Sequence, residues 1–528
     1  MWASDPTDKG EPRSALTMGI VFLYTREALG VYLFRLGVLH DKWTPFAGNF
    51  YMVRGFSWGS NRGTIIGKKR MRKLKMKRSV DLTQGSPMRL ILLYTLPIML
   101  GNIVQTLYNT ADTAIVGRFA GLQKLAAVGT TGSLSFFIFG FLYGLTGGFS
   151  ILVAQRKGAK DEEGLKKAVA HAIVLTAILV AAVTAIAVPL TKPILSMINT
   201  PADILDDATS YLAIIFAGTA FSATYNLMAS ILRSIGDSKT PLYFLILSSV
   251  LNVILDVVFI VPLKMDVAGA ALATIISQGI SGVLCIFYAA KRFPEIHLKR
   301  HHFKLERYYF NEMFRLGLPM ALQSSITAAG MIILQAALNG FGANTIAGYT
   351  AAGKVENIVA MPGFALSTTM ANFAGQNTGA GRLDRVRKGV NCGLILILIW
   401  STFSSLFCVF AGSPIMSFFV TGDAVAVAES LEAGQIFLNI LAWFFLPFNA
   451  LFVYRSTLQG IGKSIYTLVG GTIEMVMRVA VSFLLPGLIG FAGVCFAGPA
   501  AWVGADIVLI IAYYYEMKKA KAQLAMNN

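Results

Sequence analysis

From about residue 90 onward the chain repeats one pattern: a run of some 20 or more mostly apolar residues, then a short polar break. As a helix rising 1.5 Å per residue, each run is long enough to cross about 30 Å of hydrocarbon. The pattern predicts twelve spans, near 90–116, 124–150, 167–190, 208–231, 241–263, 267–290, 314–339, 346–370, 389–411, 433–455, 465–487 and 491–515. The breaks after spans 2, 4, 6, 8 and 10 (RKGAKDEEGLKK, LRSIGDSKTP, KRFPEIHLKRHHFKLERYYF, GAGRLDRVRK and YRSTLQGIGKS) carry most of the Lys and Arg, as do both ends of the chain. The others, such as NTPADILDD and VTGDAVAVAESLEAG, are acidic or nearly uncharged. By the positive-inside rule both termini are then cytoplasmic, which requires an even number of spans.

Composition agrees with this reading. A chain of 528 residues would ordinarily suggest several soluble domains, but 55% are hydrophobic, 14% are charged and the mean hydropathy is +0.63. Such a globule could not cover its own surface, so the expected class is an all-α, polytopic membrane protein. The excess of 45 basic over 27 acidic residues, +18, is mainly topology, and no nucleic-acid partner is expected. Cys285, Cys392, Cys408 and Cys495 fall in apolar runs without CxxC spacing. His297, His301 and His302 share a basic loop, and no histidine forms a ligand cluster with a cysteine or carboxylate in sequence, so no metal cofactor is expected from them.

Residues 1–75 differ from the rest. Residues 18–36 are mildly apolar but are interrupted by Arg26, Glu27 and Arg35, and the chain is densely basic from Arg62 to Arg78. Residues 1–75 are expected to be an upstream basic extension without function, either disordered or a start-site artefact; the alternative is a basic arm on anionic lipid.

An internal repeat supports the span count. LPIML (96–100) aligns with LPMAL (318–322), AQRKGA (154–159) with GQNTGA (375–380), LRSIGD (232–237) with LQGIGK (458–463) and FIVPLKMDVAG (259–269) with FLLPGLIGFAG (483–493). Each half holds six helices in the same order. The halves, 76–298 and 299–528 with its cytoplasmic tail, should form two lobes related by an axis along the membrane normal, with a central cleft. That layout suggests a transporter that rocks its halves.

Within hydrocarbon the ionisable residues are the informative ones, each costing about 2.5–3.5 kcal/mol at a helix centre. Asp112 in span 1 and Asp256 in span 5 therefore cost roughly 5–7 kcal/mol together. Asn252 lies one turn before Asp256, and Gln105 two turns before Asp112, each pair on one helix face. Counting from the helix ends puts Asp256 about 22 Å above the cytoplasmic side and Thr274 about 10 Å below the outer side. Asp112, Asn252, Asp256 and Thr274 can thus converge in the outer half of the first bundle. An all-oxygen set of this kind suits a shared proton or a hard cation such as Na⁺, and the sequence does not choose between them. The structural alternative is that Asn252 and Thr274 bond between helices and Asp112 faces a wet vestibule.

In the second half, Glu474 and Arg478 are spaced to pair, and Lys354 with Glu356 marks span 8; Glu356 is the candidate for binding a cationic cargo. Phe136, Phe137, Tyr225, Met228, Met361 and Phe364 either form an adaptable apolar surface or face lipid and core. Pro97 in span 1 and Pro319 at the equivalent place in span 7 lack a backbone donor and are candidate helix-bending points. Gly462-Lys463-Ser464 resembles the end of a phosphate-binding loop, but Thr457 stands where its first glycine belongs, which argues against an ATP-driven pump.

DLTQGSP, then LPIMLGNIVQTLYNTADTAIVGRFAG, LRSIGDSKTP and NVILD together resemble the multidrug and toxic compound extrusion (MATE) family, in its prokaryotic DNA-damage-inducible-type branch, over about residues 76–520. The resemblance implies twelve helices in two six-helix lobes and export of organic cations or other amphiphiles in exchange for inward H⁺ or Na⁺. It implies a first-lobe cation site at Asp112, Asn252, Asp256 and Thr274, with Gln105 and Asn226 lining the same cavity and Pro97 as the bending proline. Where the family has a nearby asparagine this chain has Ala229.

The expectation is a secondary antiporter of a bacterial inner membrane, without cofactor other than its coupling ion, acting as a monomer in lipid on small amphiphiles. The alternative is a flippase for a lipid-linked precursor, whose phosphates would need several unpaired cations in the cleft. A membrane-embedded enzyme would need an acidic or His-containing metal constellation at a membrane face, which the loops do not offer.

Overall fold

A computed structural model describes residues 79–527. The extension 1–75 and its basic arm lie outside the described residues. Twelve rods follow in order: α1 (Pro87–Ile115), α2 (Leu122–Gly158), α3 (Glu162–Met197), α4 (Ala202–Ala217 and Thr219–Ser234), α5 (Lys239–Ile260), α6 (Asp266–Arg292), α7 (Arg307–Leu338), α8 (Ala343–Gly379), α9 (Leu383–Met416), α10 (Ala424–Gly460), α11 (Ile465–Leu484) and α12 (Ala497–Asn527). Ten are long and apolar enough to cross a membrane. The two pieces of α4 make an eleventh, bent by 48° at Gly218, and α8 is equally long but less apolar.

The helices outrun their apolar runs. The break RKGAKDEEGLKK is mostly helical: α2 continues to Gly158 and α3 starts at Glu162, capped by Asp161, whose Oδ1 accepts the Gly164 N–H at 2.8 Å. Likewise α10 carries YRSTLQG to Gly460. Hydropathy marks where hydrocarbon ends; backbone hydrogen bonding continues past it into the interface, where charged side chains reach water.

The repeat is visible in the packing. The start of α1 (Ile91, Tyr94, Ile98) is buried in the second-lobe core with Val355 and Phe373 of α8, and the start of α7 (Met313, Leu316, Ala321) is buried with Leu145 and Phe149 of α2. Each lobe's first helix leans on the other lobe. The α2–α7 crossing requires Gly148 and Gly317, because a side chain at Gly148 would run into the Gly317 and Leu316 backbone.

The face bearing the Lys- and Arg-rich turns is closed by a network across both lobes. Gln376 of α8 accepts the Leu82 N–H (3.1 Å) and donates to the Ser234 carbonyl of α4 (2.8 Å). Ser234 in turn bonds the Ser150 carbonyl of α2 at 2.8 Å. Arg385 of α9 donates to the carbonyls of Leu82 (3.2 Å) and Gly85 (2.8 Å), holding the segment before α1 in place with Leu82 fully buried.

Candidate ion-coupling site and cavity of the first lobe

Asn252 and Asp256 are one turn apart on α5, and both are fully buried. Asn252 Nδ2 donates to Asp256 Oδ1 (3.4 Å) and to Thr274 Oγ1 of α6 (3.5 Å). Asp112 of α1 is 9% exposed, and its carboxyl is the electrostatic neighbour of that of Asp256. The four residues expected to converge do so. Asp112 Oδ1, Asn252 Oδ1 and Asp256 Oδ2 are buried acceptors without a hydrogen-bond donor. Three orphan oxygens in one place, two of them carboxylate, are costly unless a proton or a cation is shared among them. The donor set fits either ion.

Asp112 lies in the last turn of the regular part of α1, which ends at Ile115. The helix passes Pro97 without interruption, and its irregular turn is instead the wider π coil Val116–Ala120, one turn beyond Asp112. α7 likewise runs unbroken through Pro319.

Below the acids lies a cavity of about 420 Å³, lined among others by Pro97, Gln105, Tyr143, Asn226, Arg233 and Gln278. Gln105 and Asn226 thus share a cavity, as expected, and Ala229 lines it too. Tyr108 is the wall between cavity and acids: its O–H donates to Thr274 Oγ1 at 3.2 Å. Sequence reasoning missed Tyr108 and Gln278, although each lies four residues from a site residue, Asp112 and Thr274 respectively. It also assigned Arg233 to a loop. α4 instead carries Arg233 into the cavity wall, and among the described residues no carboxylate pairs with it. Of the aromatic and Met candidates, Tyr225 lines this cavity, while Phe136, Phe137 and Phe364 are exposed.

Glu356 is in the second lobe, half-buried and within electrostatic reach of Arg478, and does not line the first-lobe cavity. Lys354 and Glu356, which together mark span 8 in the sequence, do not pair among the described residues: they are two residues apart on α8, which turns them to different faces, and Lys354 is exposed. Glu474 and Arg478 do pair, at 3.0 Å, but the same carboxylate also takes Arg455 of α10 at 2.6 Å. Asp506 of α12, 6% exposed, is the electrostatic neighbour of Arg455 and Glu474. Asp506 stands in an apolar run and was visible by the criterion that found Asp112; Arg455 was not, since its helix was expected to end there.

One metal-like grouping also departs from the sequence reading. Glu163, His301 and His302 meet on the basic face, with His302 Nε2 3.1 Å and His301 Nε2 3.3 Å from Glu163 Oε1. His302 Nδ1 accepts the Lys299 N–H at 2.8 Å, so in the neutral ring Nε2 carries the proton. A protonated Nε2 cannot ligate a metal, so His302 in this arrangement offers no ligand atom.

Comparison with known proteins agrees with this architecture. The MatE family model matches residues 97–258 and 319–484, one segment in each half. The chain is 28% identical over 457 residues to the probable multidrug resistance protein YpnP of Bacillus subtilis, spanning 84% of this chain and 98% of that one. It is 29% identical over 450 residues to the probable multidrug resistance protein YoeA of the same organism, spanning 83% and 96%. Among solved structures, an outward-facing multidrug resistance MATE family transporter of the MOP superfamily matches with a TM-score of 0.79 at 24% identity, over 84% of this chain and 99% of that one. A MOP superfamily transporter from Pyrococcus furiosus matches with a TM-score of 0.79 at 23% identity, over 84% and 99%. With the matched segments falling on the two halves of a twelve-helix repeat, the chain belongs to the MatE family and is a membrane transporter of the MATE type.

Proposed function

We propose that the protein is a secondary antiporter that exports amphiphilic or cationic small molecules in exchange for inward H⁺ or Na⁺. The observation that carries this is the group of orphan acceptor oxygens on Asp112, Asn252 and Asp256, set beside a cavity of about 420 Å³ and joined to it by Tyr108. The multidrug names of the relatives support the cargo class.

Loading the acids with a proton or Na⁺ removes the repulsion between Asp112 and Asp256 and lets α1 and α5 approach; unloading separates them. Because α1 also packs on α8, a shift of α1 reaches the other lobe and biases alternating access. An inward charge falling through 100 mV supplies about 2.3 kcal/mol, enough to shift such an equilibrium. On this reading the protein works as a monomer in a bacterial cytoplasmic membrane, with both termini and the basic face cytoplasmic.

The flippase alternative draws on one feature, Arg233 in the cavity wall, which has no carboxylate partner among the described residues. A cargo with several phosphates needs several such cations. The amides and tyrosines that otherwise line the cavity favour the antiporter. Dye efflux from proteoliposomes, with pH and Na⁺ gradients imposed in turn, tests this. Efflux should collapse in Asp112→Asn and in Asp256→Asn, and wild-type rates in both would refute the coupling site.

A further inference from the structure

A second, larger cavity has no part in the site above. It measures about 1150 Å³ and shares no lining residue with the cargo cavity. It is a groove on the outside of the first lobe: the second piece of α4 packs on both α3 and α6, forms the floor, and holds those two helices apart. Small side chains keep it open, among them Ala177, Ala181 and Ala185 of α3, Ala220 of α4 and Ala290 of α6. Along α3 the lining runs from Val169 to Ala185, about 24 Å at 1.5 Å per residue, which exceeds the depth of one leaflet, half of about 30 Å.

Two further observations say what fills it. At its mouth lies the connector between α6 and α7, which contributes His297, Leu298 and Phe303 to the lining. The same connector carries Lys299, Arg300 and Lys304, and α6 ends on Lys291 and Arg292; none of the five has a carboxylate partner among the described residues, and the connector's Glu295 is taken by Lys157. Within the groove, Thr176 is 4% exposed and its hydroxyl has no hydrogen-bond partner. Thr176 is five residues, about 7.5 Å, deeper along α3 than His171, whose Nε2 accepts the Glu306 N–H at 2.8 Å and so sits at the level of the connector.

We infer that this groove binds one anionic phospholipid from the leaflet the basic face meets: an acyl chain along the alanines, an ester carbonyl accepting from Thr176, and the phosphate among Lys299, Arg300 and their neighbours. The groove is thus a structural lipid site, separate from cargo and coupling ion.

The test uses the purified full-length protein with equimolar phosphatidylglycerol and phosphatidylethanolamine, read by native mass spectrometry. Wild type should retain phosphatidylglycerol about tenfold over phosphatidylethanolamine. Ala181→Phe, which fills the shaft, should lose about tenfold of the bound lipid, and Thr176→Val should lose a few-fold. The exposed pair Lys299→Gln/Arg300→Gln leaves the shaft intact and should abolish the preference while keeping the chain; it decides the matter if Ala181→Phe fails to fold. Equal retention of the two lipids by wild type, or an unchanged preference in Lys299→Gln/Arg300→Gln, overturns the proposal. So does an Ala181→Phe variant that keeps its lipid but alters dye efflux, which would make the groove a cargo door.

Discussion

The Tyr108 hydroxyl donates to Thr274 Oγ1 at 3.2 Å, and this one contact joins the first-lobe cavity to the buried acids. Thr274 also receives Asn252, which bonds Asp256, so cavity and acid pair are three hydrogen bonds apart. Tyr108→Phe keeps the ring and removes the donor. Ion-driven efflux should fall about fivefold, the worth of one buried hydrogen bond of about 1 kcal/mol, with unchanged elution and melting temperature. An unaltered dependence of efflux on the gradient would separate the cavity from the acids.

Glu474 pairs with two buried guanidinium groups at once, accepting one hydrogen bond from each of Arg455 and Arg478. Glu474→Gln leaves both without a full counter-charge and should cost about 3–5 kcal/mol, far more than an exposed ion pair is worth. Thermal unfolding in detergent reads this directly. A loss below about 1 kcal/mol would mean that Asp506 already balances the pair.

The α2–α7 crossing offers a controlled comparison. Gly148→Leu drives a side chain into the Gly317 backbone, whereas a Cβ at Gly129 on the same helix meets nothing within 4 Å, so Gly129→Leu starts in open space. Overpacking should destabilise the first by about 1–3 kcal/mol or more and leave the second within about 0.5 kcal/mol. Similar melting temperatures would mean that the lobes separate at no cost.

Gln376 bridges Leu82 and Ser234, and so ties the segment before α1 to both lobes on the basic face. Gln376→Leu removes both bonds and should raise the labelling rate of a Ser150→Cys variant by a membrane-impermeant maleimide several-fold, because Ser150 is reached only when that face opens. No change in labelling would place the latch elsewhere.

Outside the membrane, the hydrogen bond and charge of Lys167, 2.8 Å away, hold the Glu306 carboxyl below its usual range. A depressed acid contributes stability that is present above its unfolded value and lost as pH falls through its folded value. Acidification below about pH 4.5 should therefore cost a small increment of stability in wild type and none of it in Glu306→Gln, measured as melting temperature against pH.

The coupling candidates were legible because their types are costly in hydrocarbon and their spacings are short: Asp112 and Asp256 stand out in apolar runs, and Asn252 is one turn away. Arg233 and Arg455 were hidden by a boundary error of a few residues, since hydropathy ends before the helix does.

Periodicity and charge alternation along the chain determined by themselves the twelve helices, the two-fold repeat and the residues that must be explained, because each is a property of one helix in one solvent. Only the tertiary structure decided which atoms lack partners: that three acceptor oxygens meet, that Glu474 is shared, that Lys354 and Glu356 part, and that an alanine-lined groove opens beneath a basic connector. Those facts depend on distances between helices far apart in sequence, set by close packing of side chains and glycines at the crossings, and no local pattern encodes them.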